Sequence, residues 1–185
     1  MLKKKDFYIN GKWTPPSKSN GFEVINPSNE EPCAIISLGL KEDTDAAVKA
    51  AKDAFETWKE TTKEDRLNLL EKLLKVYKKR FNEMAEAMSL EMGAPIDYAI
   101  STHTSSGQSH LEDFILRLKD FKFDKQFNKK SNNYIYYEPI GVCGLITPWN
   151  WPINQITLKV IPAFVTGCTM ILKPSEIAPI SAMLF

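Results

Sequence analysis

The chain has 185 residues, with 24 lysines and arginines against 23 aspartates and glutamates, for a net charge of +1. That balance gives no electrostatic case for nucleic acid or an anionic membrane surface as a partner. The length allows one ordinary core, or one small domain plus part of another, and no apolar run approaches the roughly 18 residues that a membrane span requires.

Lys3-Lys4-Lys5 could open a signal peptide, but Asp6, Asn10 and Lys12 follow where its apolar segment would have to be. A cytoplasmic protein is therefore expected. Cys33, Cys143 and Cys168 are odd in number and widely spaced, with no Cys-x-x-Cys pair, and read as reduced, partly buried thiols. His103 and His110 stand seven apart with no further ligand nearby, so no metal site is expected.

Phe7 to Ile9, Asn10-Gly11 and Lys12-Trp13 form a hairpin signal, because Asn-Gly tolerates the positive φ of a type I′ turn. Phe22 to Ile25 and Ala34 to Leu38 are further short strands, flanking a polar loop that contains Pro27 and Pro32. A first helix is expected from Asp43 or Thr44, with Val48, Ala51, Phe55 and Trp58 on one apolar stripe. Thr62 and Asp65 have the spacing of a capping pair ahead of Leu67, Leu70, Leu74, Tyr77 and Phe81. Met84, Met88 and Leu90 mark a third helix that stops at Gly93, with Pro95 beyond. A further helical region runs from about Asp97 to Lys119, weakened around Ser105-Ser106-Gly107.

From Phe121 to Tyr137 the composition shifts to Lys, Asn, Phe and Tyr, and Lys129 to Asn133 reads as a polar turn between two strands. Such a two-stranded arm is marginal alone and presents an unpaired edge. Val142 to Ile146 is then a short apolar run, which reads as a strand buried on both faces. A polar turn with Asn150 at its tip leads into a helix from Pro152 to about Val165, bent at Pro162 and stopped at Gly167. Thr169 to Leu172 closes a strand–helix–strand unit. In such a unit the loops after the two strands face one crevice, so Thr147 to Asn150 and Lys173 to Glu176 are expected side by side. Spacing alone also fits a structural corner with a buried tryptophan and a solvated Lys/Glu pair, since crossover units occur in many folds that share no function.

The wording of this stretch resembles the aldehyde dehydrogenase superfamily. Pro139, Gly141 and Val142 precede Ile146-x-Pro148-Trp149-Asn150-x-Pro152, then Pro162-Ala163, Gly167-x-Thr169 and Lys173-Pro174-Ser175-Glu176, in that family's order and spacing. Tyr8-Ile9-Asn10-Gly11-Lys12-Trp13 and Val24-Ile25-Asn26-Pro27 resemble its opening strands. The resemblance spans essentially the whole chain, and Cys168 departs from it, standing where the family more often has asparagine. It implies an α/β fold in three regions. Residues 1–120 would be the amino-terminal strands and the helical layer of the cofactor-binding domain. Residues 121–138 would be an oligomerisation arm, and residues 139–185 the incomplete start of a Rossmann-like βαβ unit.

The resemblance further implies oxidation of an aldehyde to a carboxylic acid with NAD, in a homo-oligomer joined through the arm. That chemistry needs a nucleophile, donors for an oxyanion and a base that activates water. By resemblance the Asn150 carboxamide is an oxyanion donor, a role that suits a neutral N–H₂ group. Lys173 and Glu176 match ribose-contacting positions. A carboxylate accepts from both ribose hydroxyls and repels a 2′-phosphate, which favours NAD, while Ser175 beside it leaves NADP open. Ile146, Thr147 and Trp149 match positions lining the cofactor, and Lys159 matches a lysine near the water-activation path. The family's nucleophilic cysteine, glutamate base and pyrophosphate turn lie beyond Phe185, and no G-x-G-x-x-G is present. Two apolar parallel strands also need a helix layer on each face, which one crossover helix does not supply. The expectation is an amino-terminal fragment of such an enzyme, inactive alone. Two other readings are a short non-catalytic protein that binds dehydrogenase subunits and a bare nucleotide-binding module.

Overall fold

In the computed structural model, which describes residues 1–185, the chain opens with β1 (Leu2–Lys4). There follow the hairpin strands β2 (Phe7–Ile9) and β3 (Lys12–Thr14), then β4 (Gly21–Asn26) and β5 (Glu31–Ser37). Asn10 at φ 53° and Gly11 at φ 75° give the hairpin its left-handed turn. β5 is central in a three-stranded sheet, parallel to β1 and antiparallel to β4. Two details differ from the sequence reading. The lysine-rich start pairs as β1 through its backbone, with all its side chains exposed. Pro32 lies inside β5 opposite Ile25, just past a register shift where a missing N–H is tolerated.

The helices α1 (Lys41–Trp58), α2 (Lys63–Lys79) and α3 (Phe81–Met92) follow. α1 starts ahead of Asp43 because that residue sits in the first turn as a carboxylate acceptor rather than at the cap. It accepts from Leu40 N at 2.8 Å and from Ser17 N at 2.7 Å. Thr62 and Asp65 do form a reciprocal capping box on α2, each accepting from the other's backbone N–H at 3.1 Å. After the short α4 (Ile96–Tyr98) comes one π-helical stretch, Ala99–Thr104, and then α5 (Ser105–Asp120). The irregularity thus precedes Ser105-Ser106-Gly107 instead of falling on it. The two serines bond back to the preceding turn, to Ile100 O at 2.9 Å and His103 O at 2.7 Å, so the helix continues through them.

β6 (Asp124–Gln126) and β7 (Tyr134–Tyr136) form the antiparallel arm. β8 (Val142–Ile146), α6 (Pro152–Val165) and β9 (Thr169–Lys173) then make a crossover unit with β8 parallel to β9, and α7 (Ile180–Leu184) follows. The largest core cluster joins α2, α3 and α5 to α6 through side chains such as Leu70, Met88, Leu111, Ile153 and Ile156. Leu172 of β9 packs against that cluster, whereas Thr169, on the opposite face by alternation, donates to Ala51 O of α1 at 2.7 Å. The second helix layer expected to be missing is therefore α1, supplied from far upstream. The layers do not cover β8 completely. Gly144 and Ile146 are exposed, so the strand is not buried on both faces, because α1 contacts β9 more extensively than β8.

Arg66 fastens the ends of these layers. Its guanidinium is buried and donates to Thr61 Oγ1 at 2.8 Å, Lys59 O at 3.0 Å and Val165 O at 3.4 Å. Gly167, at φ 82°, ends α6 against it, and a Cβ there would lie 2.5 Å from an Arg66 terminal nitrogen. No helix of the chain is long and apolar enough to cross a membrane.

Candidate functional site

The expected crevice is an open shelf at the carboxyl ends of β8 and β9. Thr147 N donates to Lys173 O at 3.2 Å, one bond beyond the ladder, and so holds the two loops edge to edge. Thr147 is buried and its Oγ1 has no partner within the chain. Ile146 and Trp149 stand out from the shelf, 72% and 50% exposed. Asn150 is exposed at the tip of the turn rather than packed as a fixed dipole. Trp151 and the proline at the first position of α6 anchor the far side, the indole lying 4.5 Å from the His103 ring. His103 is buried in the π-helical stretch, with Tyr98 edge-on at 5.2 Å.

On the second loop Lys173 Nζ donates to Glu176 Oε2 at 2.8 Å. Both side chains are partly exposed, 60% and 41%, so this is a solvated pair of small energetic value. Its electrostatic effect is directional. The Lys173 ammonium, with the residue's own backbone N–H, holds the Glu176 carboxyl below the usual carboxylate range, and the group is ionised at neutral pH. Ser175 Oγ accepts from Ile177 N at 3.3 Å, a local turn that shapes the loop. Lys159 lies about two turns along α6 from the Asn150 turn, its Nζ bonded to Gln155 Oε1 at 3.1 Å. The structure thus joins the two loops at Ile146 and Thr147 against Lys173, with Trp149 and Asn150 further along the first loop and Ser175 and Glu176 further along the second, and leaves Lys159 bonded within its own helix.

The arrangement offers an ionised acceptor, a carboxamide donor, an unpartnered hydroxyl and two apolar platforms on one open shelf. None of the three cysteines belongs to it. Cys143 and Cys168 lie at the opposite, amino-terminal ends of β8 and β9, and Cys33 is in β5. No group of three metal-ligating side chains is present. Two surface concavities lie elsewhere. One, of about 720 Å³, lies between the α1–α2 corner and the root of the arm. Sequence reasoning missed the tilted His103–Trp151 ring contact, because a lone histidine in a helix carries no mark of its neighbour 48 positions on.

The sequence profile of the aldehyde dehydrogenase family matches residues 13–185. The chain belongs to the aldehyde dehydrogenase family. Among solved structures it superposes on an aldehyde dehydrogenase from Bartonella henselae with a TM-score of 0.98 at 55% identity, over 100% of this chain and 39% of that one. A mutant of aldehyde dehydrogenase C from Pseudomonas syringae, in complex with NAD+ and octanal, matches at 41% identity and TM-score 0.94, over 97% and 36% of the two chains. A curated relative is 3-succinoylsemialdehyde-pyridine dehydrogenase of a Pseudomonas species, 45% identical across 97% of this chain and 37% of its own length. This aldehyde dehydrogenase chain therefore spans somewhat more than a third of the relatives it matches and corresponds to their amino-terminal part.

Proposed function

We propose that this chain forms the first part of an NAD-dependent aldehyde dehydrogenase, in which it contributes an oxyanion donor and a ribose contact. The observation that carries this reading is the bond from Thr147 N to Lys173 O at 3.2 Å, which sets the Asn150 turn beside an ionised Glu176. The residues fit the cofactor. An exposed carboxylate can accept from two ribose hydroxyls, the unpartnered Thr147 Oγ1 has hydrogen-bonding capacity to spare, and Ile146 and Trp149 offer apolar surface. Lys173 and Ser175 complete that loop. The same carboxylate repels a 2′-phosphate, which favours NAD over NADP.

When bound, NAD accepts the hydride that converts an aldehyde to an acid in the presence of water. This chain's part is to hold the oxyanion. The Asn150 carboxamide donates N–H to the oxygen that becomes negative as a nucleophile adds to the carbonyl, an interaction stronger in the transition state than in the aldehyde. Lys159 is assigned to the water path on resemblance alone. The nucleophile is assigned outside residues 1–185 because no cysteine of this chain stands at the crevice, and the base is assigned there on resemblance alone. The chain by itself is inactive on aldehydes, and purified residues 1–185 reducing NAD with an aldehyde would refute that. We place the enzyme in the cytoplasm, with residues 121–138 as the arm joining its subunits. The division into residues 1–120, 121–138 and 139–185 follows the same reading.

The test begins with the product of the native gene, detected through a peptide from Pro148 to Lys159. A product more than twice the length of this chain is expected. A product of 185 residues that co-purifies with a larger dehydrogenase would favour the non-catalytic, subunit-binding reading. In the longer product, Asn150→Ala is expected to lower kcat by roughly a hundredfold or more, and Glu176→Ala to raise KM for NAD with little change in kcat. An unaltered rate in the first variant removes Asn150 from the mechanism.

A further inference from the structure

Glu91 lies near the end of α3 and is 1% exposed. Its two carboxylate oxygens accept from the backbone N–H groups of Ile180 and Ser181, the second at 3.1 Å, across some ninety residues of sequence. Ile180 and Ser181 are the first residues of α7, where N–H groups have no partner within the helix. The cap position is occupied by Pro179, whose side chain cannot accept a hydrogen bond. The first turn of α7 is thus satisfied from another helix, by a carboxyl group whose two oxygens are shielded from water.

The segment immediately before is residues 174–179, the loop that carries Ser175 and Glu176. Its entrance is fixed by β9 and by the bond between Thr147 and Lys173. Its exit is fixed at Glu91, where Ala178 and Pro179 are also buried. Between those two points Ser175 and Glu176 remain partly exposed. We infer that Glu91 is a positioning residue for the cofactor loop: by holding the first turn of α7 it fixes the exit of residues 174–179, and so the place from which Glu176 meets the ribose. This inference rests on the cofactor reading given above. It adds a residue of the helical layer that touches neither cofactor nor aldehyde.

The test uses the product of the native gene, with Glu91→Ala and Glu91→Gln. Amide hydrogen exchange is measured by residue segment, and KM for NAD separately from kcat. In Glu91→Ala, exchange over residues 174–181 is expected to rise at least about tenfold while amides of α2 and α5 keep their protection. KM for NAD is expected to rise about tenfold with kcat within about twofold. Glu91→Gln keeps one acceptor and should fall between wild type and alanine. It also decides the matter by the same readouts if the alanine variant does not fold. Equal loss of protection throughout the core, or an unaltered loop, overturns the inference, as does a fall in kcat with KM unchanged. Should the wild type bind no NAD, the cofactor reading fails by itself. Exchange alone then judges Glu91: faster exchange confined to residues 174–181 keeps it as the loop's pin, and its absence removes it.

Discussion

Glu176 and Glu91 are carboxylates driven in opposite directions by their surroundings. Glu176 is held low by the Lys173 ammonium in a largely solvated setting. Glu91 is pushed up to about 7 by burial, and the backbone and side-chain hydrogen bonds it accepts offset only part of that cost. Of the groups packed around it, the Cys33 thiol on β5 feels its charge, and α7 brings no charged side chain. Because the folded-state value lies above the ordinary 4.5, the native state holds its proton more tightly than the unfolded chain. The stability from this group is therefore fully present below about pH 4.5 and is lost as pH rises through about 7, a change on the order of 3 kcal/mol. Glu91→Gln should flatten that segment of the stability profile. Thermal unfolding followed from pH 4.5 to 7.5 checks it, and an equally steep profile in the variant would assign the slope to another group. Nothing in the sequence marked Glu91, since a glutamate in an amphipathic helix reads as solvated until the element opposite is known.

At the scale of elements, α5 and α6 meet at Gly107. A Cβ there would lie 2.4 Å from both Ile153 Cγ2 and the Tyr77 hydroxyl, which itself donates to Thr104 O at 2.8 Å. Gly107→Ala must push the helices apart or break that buried hydrogen bond. A loss of about 1–3 kcal/mol is expected in urea-induced unfolding, and an unchanged midpoint would show that the contact gives way at no cost. The helices were legible from the sequence because their stripes recur every three to four residues, as with Leu67, Leu70, Leu74 and Tyr77 of α2. The capping pair at Thr62 and Asp65 was legible for the same local reason. The π-helical stretch was not. The serine-rich run drew attention to Ser105 to Gly107, yet their hydroxyls reinforce the helix, and the irregularity falls on Ala99 to Thr104, where His103 and Thr104 turn inward. The two loops at residues 147–150 and 173–176 were legible as neighbours from the strand–helix–strand pattern, while the roles proposed for them came from the long run of wording from Pro139 to Glu176. The distances within them and the exposure of Asn150 depend on packing that wording does not describe.

Across the whole molecule, exposed apolar side chains recur on several elements, and the arm carries a group of them. Phe127, Tyr134 and Tyr136 are 63%, 53% and 67% exposed on a two-stranded ribbon, an edge able to accept further strands. If residues 121–138 join subunits as proposed above, replacing residues 127–134 by a short Gly-containing turn should lower the oligomeric state of the native gene product. Light scattering coupled to size exclusion reads the result, and an unaltered mass would move the subunit contact elsewhere. The parallel pair and its crossover helix were local enough in sequence to be read directly. The covering of the other face by α1 was not, because an amphipathic stripe states that a partner exists without saying which.

That covering has a consequence for synthesis. The bond from Thr169 to Ala51 spans 118 residues, so the apolar stripe of α1 leaves the ribosome long before the strands that will shelter it. At roughly 5–20 residues per second the delay is on the order of 10 s. During that interval Phe55 and Trp58 are available to nascent-chain chaperones, and α1 cannot complete its docking until β9 emerges. Translation speed along residues 59–173 thus sets how long the chain is vulnerable to misassembly, although those codons lie far from the residues at risk.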